Sequence, residues 1–592
     1  MKLVDALVTT LRDWNLEYIF GVSGANIEHL HDSVHRLGDG KLEAVLTKSE
    51  VGAAFMADAR ARVHGTLGVC CSTSGGGMMN LAVGIAESYA ESVPVLALVG
   101  QTATNFDGRG GFQDSSGLGR TVHATAMWQS MSKYTARVDD PNLFWSHLEN
   151  AVRQSLSGRR GPSVLLFPRD IYDLEVGPRP EDFPTNLHEL MAPEFTVEAS
   201  ELKDFLETIR NAKNPVMMIG TGVSRCNSPE HVIQFAMEAG IPVVTTMGNT
   251  GAFPHEHELF LGAVGVAGHP SAHHYLNEET DLLIAVGTGL NIMTRGPLEK
   301  CLTHSKVIGV NLDPFEIKGA VPNAQVIQSD AGEVFRHMRD LFYKHSFHHG
   351  KPDDYLLRRF VPQFADAETE EAVPESALLQ SQAISLIQDY LPENGNVLFD
   401  AGNCAATSMH HLKIPENAST TIALGMGGMG YAIAAACGAQ LGQKDTRSMV
   451  LCGDGAFLML GFEIHTAVEL GLPILFVVFN NQKHGMCVTR QEIFFEGRKT
   501  CTDYGQLNVE SIARGLGPEQ SLWTGQASTQ DELSALLEEY HQGFAQGPGV
   551  LELHLPYEEV PPFTPFLDKG AETYVVPTPL NKEAKLALED AA

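Results

Sequence analysis

Basic charge is scarce in this sequence: 592 residues carry 41 Lys+Arg against 72 Asp+Glu, a formal net charge of −31. Such a field repels phosphate backbones and anionic lipid heads, so neither nucleic acid nor a membrane surface is an expected partner, though a local basic pocket remains allowed. Cysteine is also sparse. The nine residues, at 70, 71, 226, 301, 404, 437, 452, 487 and 501, are scattered and never spaced CxxC. That pattern argues against a zinc site or a disulfide frame and fits reduced structural thiols, from which a cytoplasmic location is expected. Long apolar runs are missing too. PVLALVG (94–100) and PILFVVF (473–479) reach seven residues, a length that suits buried parallel strands and is far short of the roughly 20 needed to span a bilayer. The opening MKLVDALVTTLRDWN has Asp5 and Arg12 inside a helical apolar period, so it is read as a first helix and not as a secretory signal.

What is present is the makeup of a folded globular chain, 43% hydrophobic and 19% charged, long enough for three or four domains. Short β-rich runs alternate with helical patterns and Gly-containing turns, which predicts α/β domains on parallel sheets. Composition breaks at PRPEDFPTNLHELMAPEF (178–195) and at HHGKPDDY (348–355) running on to DAETEEAVPES (366–376) read as linkers. They divide the chain into 1–177, 196–345 and 377–556, followed by a tail, 557–592, with too many prolines for a sheet interior. The first and third segments share a rhythm, each with a Gly-rich turn entering a helix: TSGGGMMNLAVGIAES (73–88) and GMGGMGYAIAAACGAQLG (425–442).

The most informative stretch is Gly453-Asp454-Gly455, then an amphipathic helix pattern and a buried strand, then Asn480-Asn481. GDG follows the apolar run SMVLC, so Asp454 is expected at the carboxyl end of a parallel strand, where α/β sheets place ligands. A second strand ends at Asn480. Read alone, Asp454 is equally a turn or cap residue; read together, two strand ends offer a carboxylate and an amide oxygen. These are hard ligands that, with a backbone carbonyl and phosphate oxygens, complete a Mg²⁺ shell.

This stretch resembles the cofactor signature of the thiamine-diphosphate enzymes, of the acetolactate synthase/pyruvate oxidase type. SEVGAAFMADARARVHG (49–65), TSGGGMMN (73–80), GPSVLLFPRDI (161–171), PVVTTMGNTGAFPHEHELFLGAVG (242–265) and VNLDPFEIKG (310–319) are similar to further stretches of that family in the same order. The resemblance implies three doubly wound parallel-sheet domains: pyrimidine-binding, middle and diphosphate-binding. It implies thiamine diphosphate held through Mg²⁺ by Asp454, Asn481 and the main-chain carbonyl of Lys483, with Gly24, Thr73, Asn80, Gly453, Gly455, Gly485 and Met486 contributing to the cofactor site. Glu50 is implied to share a proton with N1′ of the aminopyrimidine and so to promote loss of the thiazolium C2 proton. Gly425, Gly427 and Gly428 match the segment threaded between the cofactor rings, with Met429 as the wedge. The family places Glu50 of one chain opposite Asp454 of another, which implies a homodimer or a homotetramer.

Phe112-Gln113 resembles a donor-site element and Lys133 its following lysine, with about seven extra residues between them. Arg490 stands where acetolactate synthase has a Trp against its second keto acid. The expectation is decarboxylation of a 2-keto acid, pyruvate first, and addition of the resulting carbanion to a carbonyl acceptor more polar or bulkier than a second pyruvate. A non-ligating decarboxylase, a C–C lyase, a flavin-linked oxidase and a catalytically inactive regulatory subunit are the alternatives. FAD stays open. IGTGVSR (219–225), GVAGHPSAHH (265–274) and AVGTGLNIMTRG (285–296) match flavin-holding stretches, yet Gly289 and Met293 replace arginines and Arg295 is displaced. The pocket is then vestigial, flavin-bearing or open to another nucleotide. The pairs His273-His274, His348-His349 and His410-His411 are expected to be surface or structural, and His29 and His31 to line a channel.

Overall fold

The computed structural model describes residues 1–191, 197–344, 346–364, 367–567 and 570–576. Parts of the first linker and of the stretch 366–376, and residues 577–592 of the tail, fall outside the described residues. Three six-stranded parallel sheets carry the chain. The first is built from β1 (Tyr18–Gly21), β2 (Glu43–Leu46), β3 (Gly68–Ser72), β4 (Val95–Gln101), β5 (Tyr134–Arg137) and β6 (Ser163–Pro168), in the order β2-β1-β3-β4-β6-β5. The middle one joins β7 (Pro215–Ile219), β8 (Val243–Thr246), β9 (Phe260–Val264), β10 (Leu282–Val286), β11 (Lys306–Asn311) and β12 (Gln325–Gln328), in the order β12-β11-β10-β7-β8-β9. That is the nucleotide-binding order, with its crevice between β7 and β10 where the winding reverses.

Next come β13 (Arg358–Phe360) and β14 (Gln363–Phe364), then the third sheet: β15 (Asn394–Phe399), β16 (Asn417–Ile422), β17 (Arg447–Gly453), β18 (Ile474–Asn480), β19 (Trp523–Ala527) and β20 (Gly549–His554). Its order, β16-β15-β17-β18-β20-β19, repeats that of the first sheet. The apolar runs seen in the sequence become β4 and β18, buried along their whole length because helices cover both faces. The proline-containing tail does form strands, though only short antiparallel pairs: β21 (Glu559–Val560) on β14 and β22 (Thr573–Val575) on β13.

First and third sheets are joined by two small-residue helices. Glu50–His64 (EVGAAFMADARARVH) is capped by Ser49, whose side chain accepts from the Gly52 N–H, and it ends at Gly65 in the left-handed region, φ 64°. It packs on Tyr431–Gln440 (YAIAAACGAQ), in which every residue is buried. Contact is so close that a Cβ on Gly438 would overlap the Met56 carbonyl. The middle sheet meets the third through a layer of neutral histidines. His410 donates from Nδ1 to Ala267 O at 3.2 Å and accepts the Phe360 N–H at Nε2, 3.1 Å. His269 accepts the Ala263 N–H at 2.9 Å and donates to His410 O at 3.0 Å. Burial drives both well below the usual imidazole range. Of the expected histidine pairs, His273 and His410 are therefore interior and structural, and neither is at the surface.

Candidate active site

Most of the predicted site residues gather at the carboxyl ends of the first and third sheets, as two separate clusters. At the third sheet, β17 and β18 run side by side with Gly453 opposite Phe479, which brings Asp454 and Asn481 together across the 27 positions between them in sequence. A cavity of about 460 Å³ opens there, lined by Gly427, Met429, Gly453, Asp454, Gly455, Asn481, Lys483, Gly485 and Met486. Asp454 is 2% exposed. It accepts the Gly455 N–H at 2.7 Å and the Gln482 N–H at 2.6 Å. Burial raises its carboxyl above the usual range, while these bonds and the facing Tyr504 hydroxyl pull it back. Asn481 Oδ1 accepts the Lys483 N–H at 3.2 Å. Gly427 sits at φ 67° with open space where a side chain would project, a conformation that costs any other residue. Gly455 lies against Met429 Cε and His484, either of which a Cβ would approach to 2.9 Å.

Two helices, Asn403–His411 and Gly485–Phe494, point their first residues into this cavity. Paired N-termini offer free N–H groups to an anion. Among the described residues no group of three His, Cys, Asp or Glu is placed to hold a metal ion alone. A cation held by Asp454 and Asn481 would need its remaining ligands from main chain, water or a bound phosphate, the donor set that suits Mg²⁺ on a diphosphate. The residues fit that group.

The second cluster belongs to the first sheet. Glu50 accepts from the Asn80 side-chain amide at 3.0 Å. A Cβ on Gly77 would lie 2.7 Å from its carboxylate, and one on Gly24 2.7 Å from Thr73. Gln113, at φ 63°, rests on Gly75 and faces Ser74 Oγ at 3.4 Å. Glu50, Asn80, Thr73, Gly24 and Gln113 therefore adjoin one another, yet none of them lines the Asp454 cavity.

Lys133 does not join them. It precedes β5 at the opposite, amino end of the sheet, where its Nζ donates to Ser157 O at 2.6 Å and burial lowers it to about 8. One cation at the carboxyl edge is Arg169, directly after β6 and exposed, its backbone N–H on Gln101 O at 3.0 Å. Arg490 is exposed on the helix Gly485–Phe494 and is not part of the cavity lining. It stands four positions after Met486, on the same helical face. His31 lies 3.9 Å from Cys71 Sγ, and His29 stacks on Tyr172 at 5.5 Å.

Sequence reasoning missed Asn403, Glu558, Glu87 and Glu463. Asn403 donates to Glu558 at 2.6 Å, and Asn481 donates to the other oxygen of Glu558. Burial raises that carboxyl, which faces the cavity beside Lys483. Glu87, fully buried, accepts the Gly425 and Met426 N–H groups at 3.1 and 2.6 Å and so holds the Gly427 turn from the first domain. The turn's far side hangs on Asp400, which accepts the Gly430 and Ala432 N–H groups at 2.9 Å each and is raised to about 6 by burial. Only Asn403 had a readable signal, the strand-glycine-helix entry NVLFDAGNC (396–404).

Three family models match along the chain in order: the thiamine pyrophosphate enzyme N-terminal TPP binding domain over 1–118, the central domain over 202–338 and the C-terminal TPP binding domain over 400–553. The acetolactate synthase large subunit of Corynebacterium glutamicum is 30% identical over 546 residues, covering 87% of this chain and 82% of that protein. The chain belongs to the thiamine pyrophosphate enzyme family. The acetolactate synthase isozyme 2 large subunit of Escherichia coli is 27% identical over 572 residues, 95% of this chain and 97% of that one. A probable acetolactate synthase large subunit of Methanocaldococcus jannaschii is 28% identical over 513 residues, 86% and 84%. As a thiamine pyrophosphate enzyme this chain has the family's three α/β domains, and among its described residues no helix is long and apolar enough to cross a membrane.

Proposed function

We propose that this enzyme uses thiamine diphosphate and Mg²⁺ to decarboxylate a 2-keto acid, pyruvate foremost, and to join the resulting two-carbon unit to a second carbonyl compound. The observation that carries the reading is the single cavity holding Asp454, Asn481, Lys483, Gly427 and Met429 between two helix N-termini. When bound, thiamine diphosphate supplies the electron sink for decarboxylation. The chain's own part is to hold the diphosphate and its cation with Asp454, Asn481 and the Lys483 carbonyl, to shape the ring-binding turn with Gly427 and Met429, and to exchange a proton through Glu50. Donor and acceptor identities are read directly by mass spectrometry of products formed from pyruvate with a panel of aldehydes, keto acids and keto sugars. A cofactor-dependent ligated product is expected. Carbon dioxide and free aldehyde alone contradict ligation.

The active unit is a dimer, or a tetramer of two such dimers, with each site built from Glu50 of one chain and Asp454 of its partner. Support comes from the separation of the two clusters within one chain and from apolar side chains exposed around both: Met79 and Val83 near Glu50, and Met426, Leu458, Met459 and Phe462 near the cavity, 38–68% exposed. Arg490 then tunes the acceptor. A guanidinium one helical turn beyond the cavity-lining Met486 favours acceptors bearing a carboxylate, phosphate or hydroxyls. The middle-sheet crevice has a cavity of about 270 Å³ that includes Gly222, Arg225 and Gly289, with Arg159 and Arg160 from the first domain. Its position suits a nucleotide, while Arg295 lies outside its lining. Visible absorbance of the purified enzyme separates FAD from another nucleotide there.

A further inference from the structure

Glu463 is a buried carboxylate of the third domain with no ion-pair partner among the described residues, and every first-domain contact it makes falls at the start of the Glu50 helix. It is 1% exposed. One oxygen accepts the Ser49 N–H at 2.8 Å, the Ser49 hydroxyl at 2.9 Å and the Lys48 N–H at 3.1 Å. The other accepts the Lys48 N–H at 3.1 Å and the Thr466 hydroxyl at 3.2 Å. The nearest cation does not neutralise it, because Lys48 Nζ pairs with Glu469. Ser49 is the N-cap of the helix whose first residue is Glu50, so all the first-domain groups that Glu463 binds are the two residues immediately before Glu50. Gly52 leaves the space, since a Cβ there would overlap the Glu463 carboxylate.

A carboxylate at a helix N-terminus stabilises the first turn, and here it also closes the backbone donors that the turn leaves free. Its cost is the burial of a charge, which a local surface cap does not require. That cost is met by four donors, three of them from Lys48 and Ser49 and the fourth the Thr466 hydroxyl. The consequence is geometric: the height and rotation of Glu50 are set from the third domain, through Gly461–Glu463, the segment directly after the helix Asp454–Leu460 that begins at the cavity. Asn80 fixes the other end of the same side chain.

We infer that Glu463 is a positioning residue for Glu50, holding the Lys48–Ser49 backbone so that the Glu50 carboxylate meets the aminopyrimidine ring at the height proton exchange requires. The inference rests on the thiamine-diphosphate reading of Glu50. Glu463→Gln replaces one acceptor oxygen with an amide that repels the Lys48 N–H, a break expected to slow C2 hydrogen-deuterium exchange of bound thiamine diphosphate by on the order of tenfold to a hundredfold.

Exchange is followed by NMR on the Mg²⁺-loaded enzyme, with cofactor affinity measured by calorimetry on the same samples. Affinity within about threefold of wild type is expected, because Asp454 and Asn481 are untouched. Ser49→Ala, which removes one hydroxyl contact and no charge, is the milder break and serves if Glu463→Gln does not fold. The deciding arm is Glu463→Gln in a Glu50→Gln background. A residue acting through Glu50 adds nothing further to the loss, whereas one that only braces the fold slows both backgrounds equally. Equal slowing in both, or wild-type exchange in Glu463→Gln and in Ser49→Ala, overturns the inference while the proposed function stands. A wild-type enzyme that does not accelerate C2 exchange overturns the proposed function and the inference with it.

Discussion

The first and third sheets have the same strand order, and both present their chemistry at the carboxyl ends of their strands, yet they do opposite things there. In the third, two helix N-termini, a buried aspartate and an asparagine line a largely apolar cavity. In the first, Glu50, Asn80 and Thr73 gather near exposed Met79 and Val83 and none of the three lines that cavity. A repeated framework thus yields two unlike half-sites, and the difference lies in the loops that follow the strands. One half is built to hold charge. On the proposed reading the other offers a single carboxylate, Glu50, to a partner chain. Each also steadies the other within the chain, Glu463 gripping the Glu50 helix and Glu87 gripping the Gly427 turn.

The comparison breaks most sharply at Asp454. Asp454→Ala should abolish Mg²⁺-dependent thiamine diphosphate binding in calorimetry, and unchanged affinity would mean that the charge-holding role belongs elsewhere. Glu50→Gln, on the other half, should leave binding intact and lower C2 proton exchange by about 10²- to 10⁴-fold, because an amide cannot relay the proton. If Glu50→Gln instead removes binding, the two halves do not divide the work in this way.

The halves also differ in what they lean on. The third sheet meets the middle one across neutral histidines, and burial holds His255 and His273 at about 4 and His411 at about 3. Below pH 6.5 the unfolded chain takes up protons that these folded side chains refuse, so stability falls as pH falls. The loss is roughly 2 kcal/mol per histidine between about pH 6.5 and pH 5. Chemical denaturation at both values measures it, and a stability that holds level or rises towards pH 5 contradicts it. The smallest effect belongs to Arg490. Because this side chain stands one helical turn beyond the cavity-lining Met486, Arg490→Trp should shift the preference between polar and apolar acceptors by roughly tenfold and spare pyruvate decarboxylation. An unchanged product ratio in competition removes it from acceptor choice.

Legibility in the sequence follows the range of the interactions. Asp454 and Asn481 were readable because a buried run followed by GDG or Asn-Asn marks a strand end locally, and parallel neighbours bring such ends together. Glu50 was readable from its motif. Lys133 was not, because its end of the sheet depends on where β5 begins, a matter of one residue that neither composition nor periodicity fixes. Glu558 lay in a tail set aside for its prolines, whose strands form only by pairing with residues about two hundred positions earlier. Glu87 and Glu463 reach across more than three hundred positions, and in sequence each is just one more acidic residue on a helix.

The central claim, that one site takes Glu50 and Asp454 from different chains, is tested most directly by mixing. Glu50→Gln and Asp454→Ala proteins are each expected to be nearly inactive. Unfolded together and refolded at equal amounts, half of the dimers become mixed, and each mixed dimer regains one intact site, so activity should return to roughly a quarter of wild type. Mixed dimers recovered by two different affinity tags and found inactive would show that the two residues do not meet across chains.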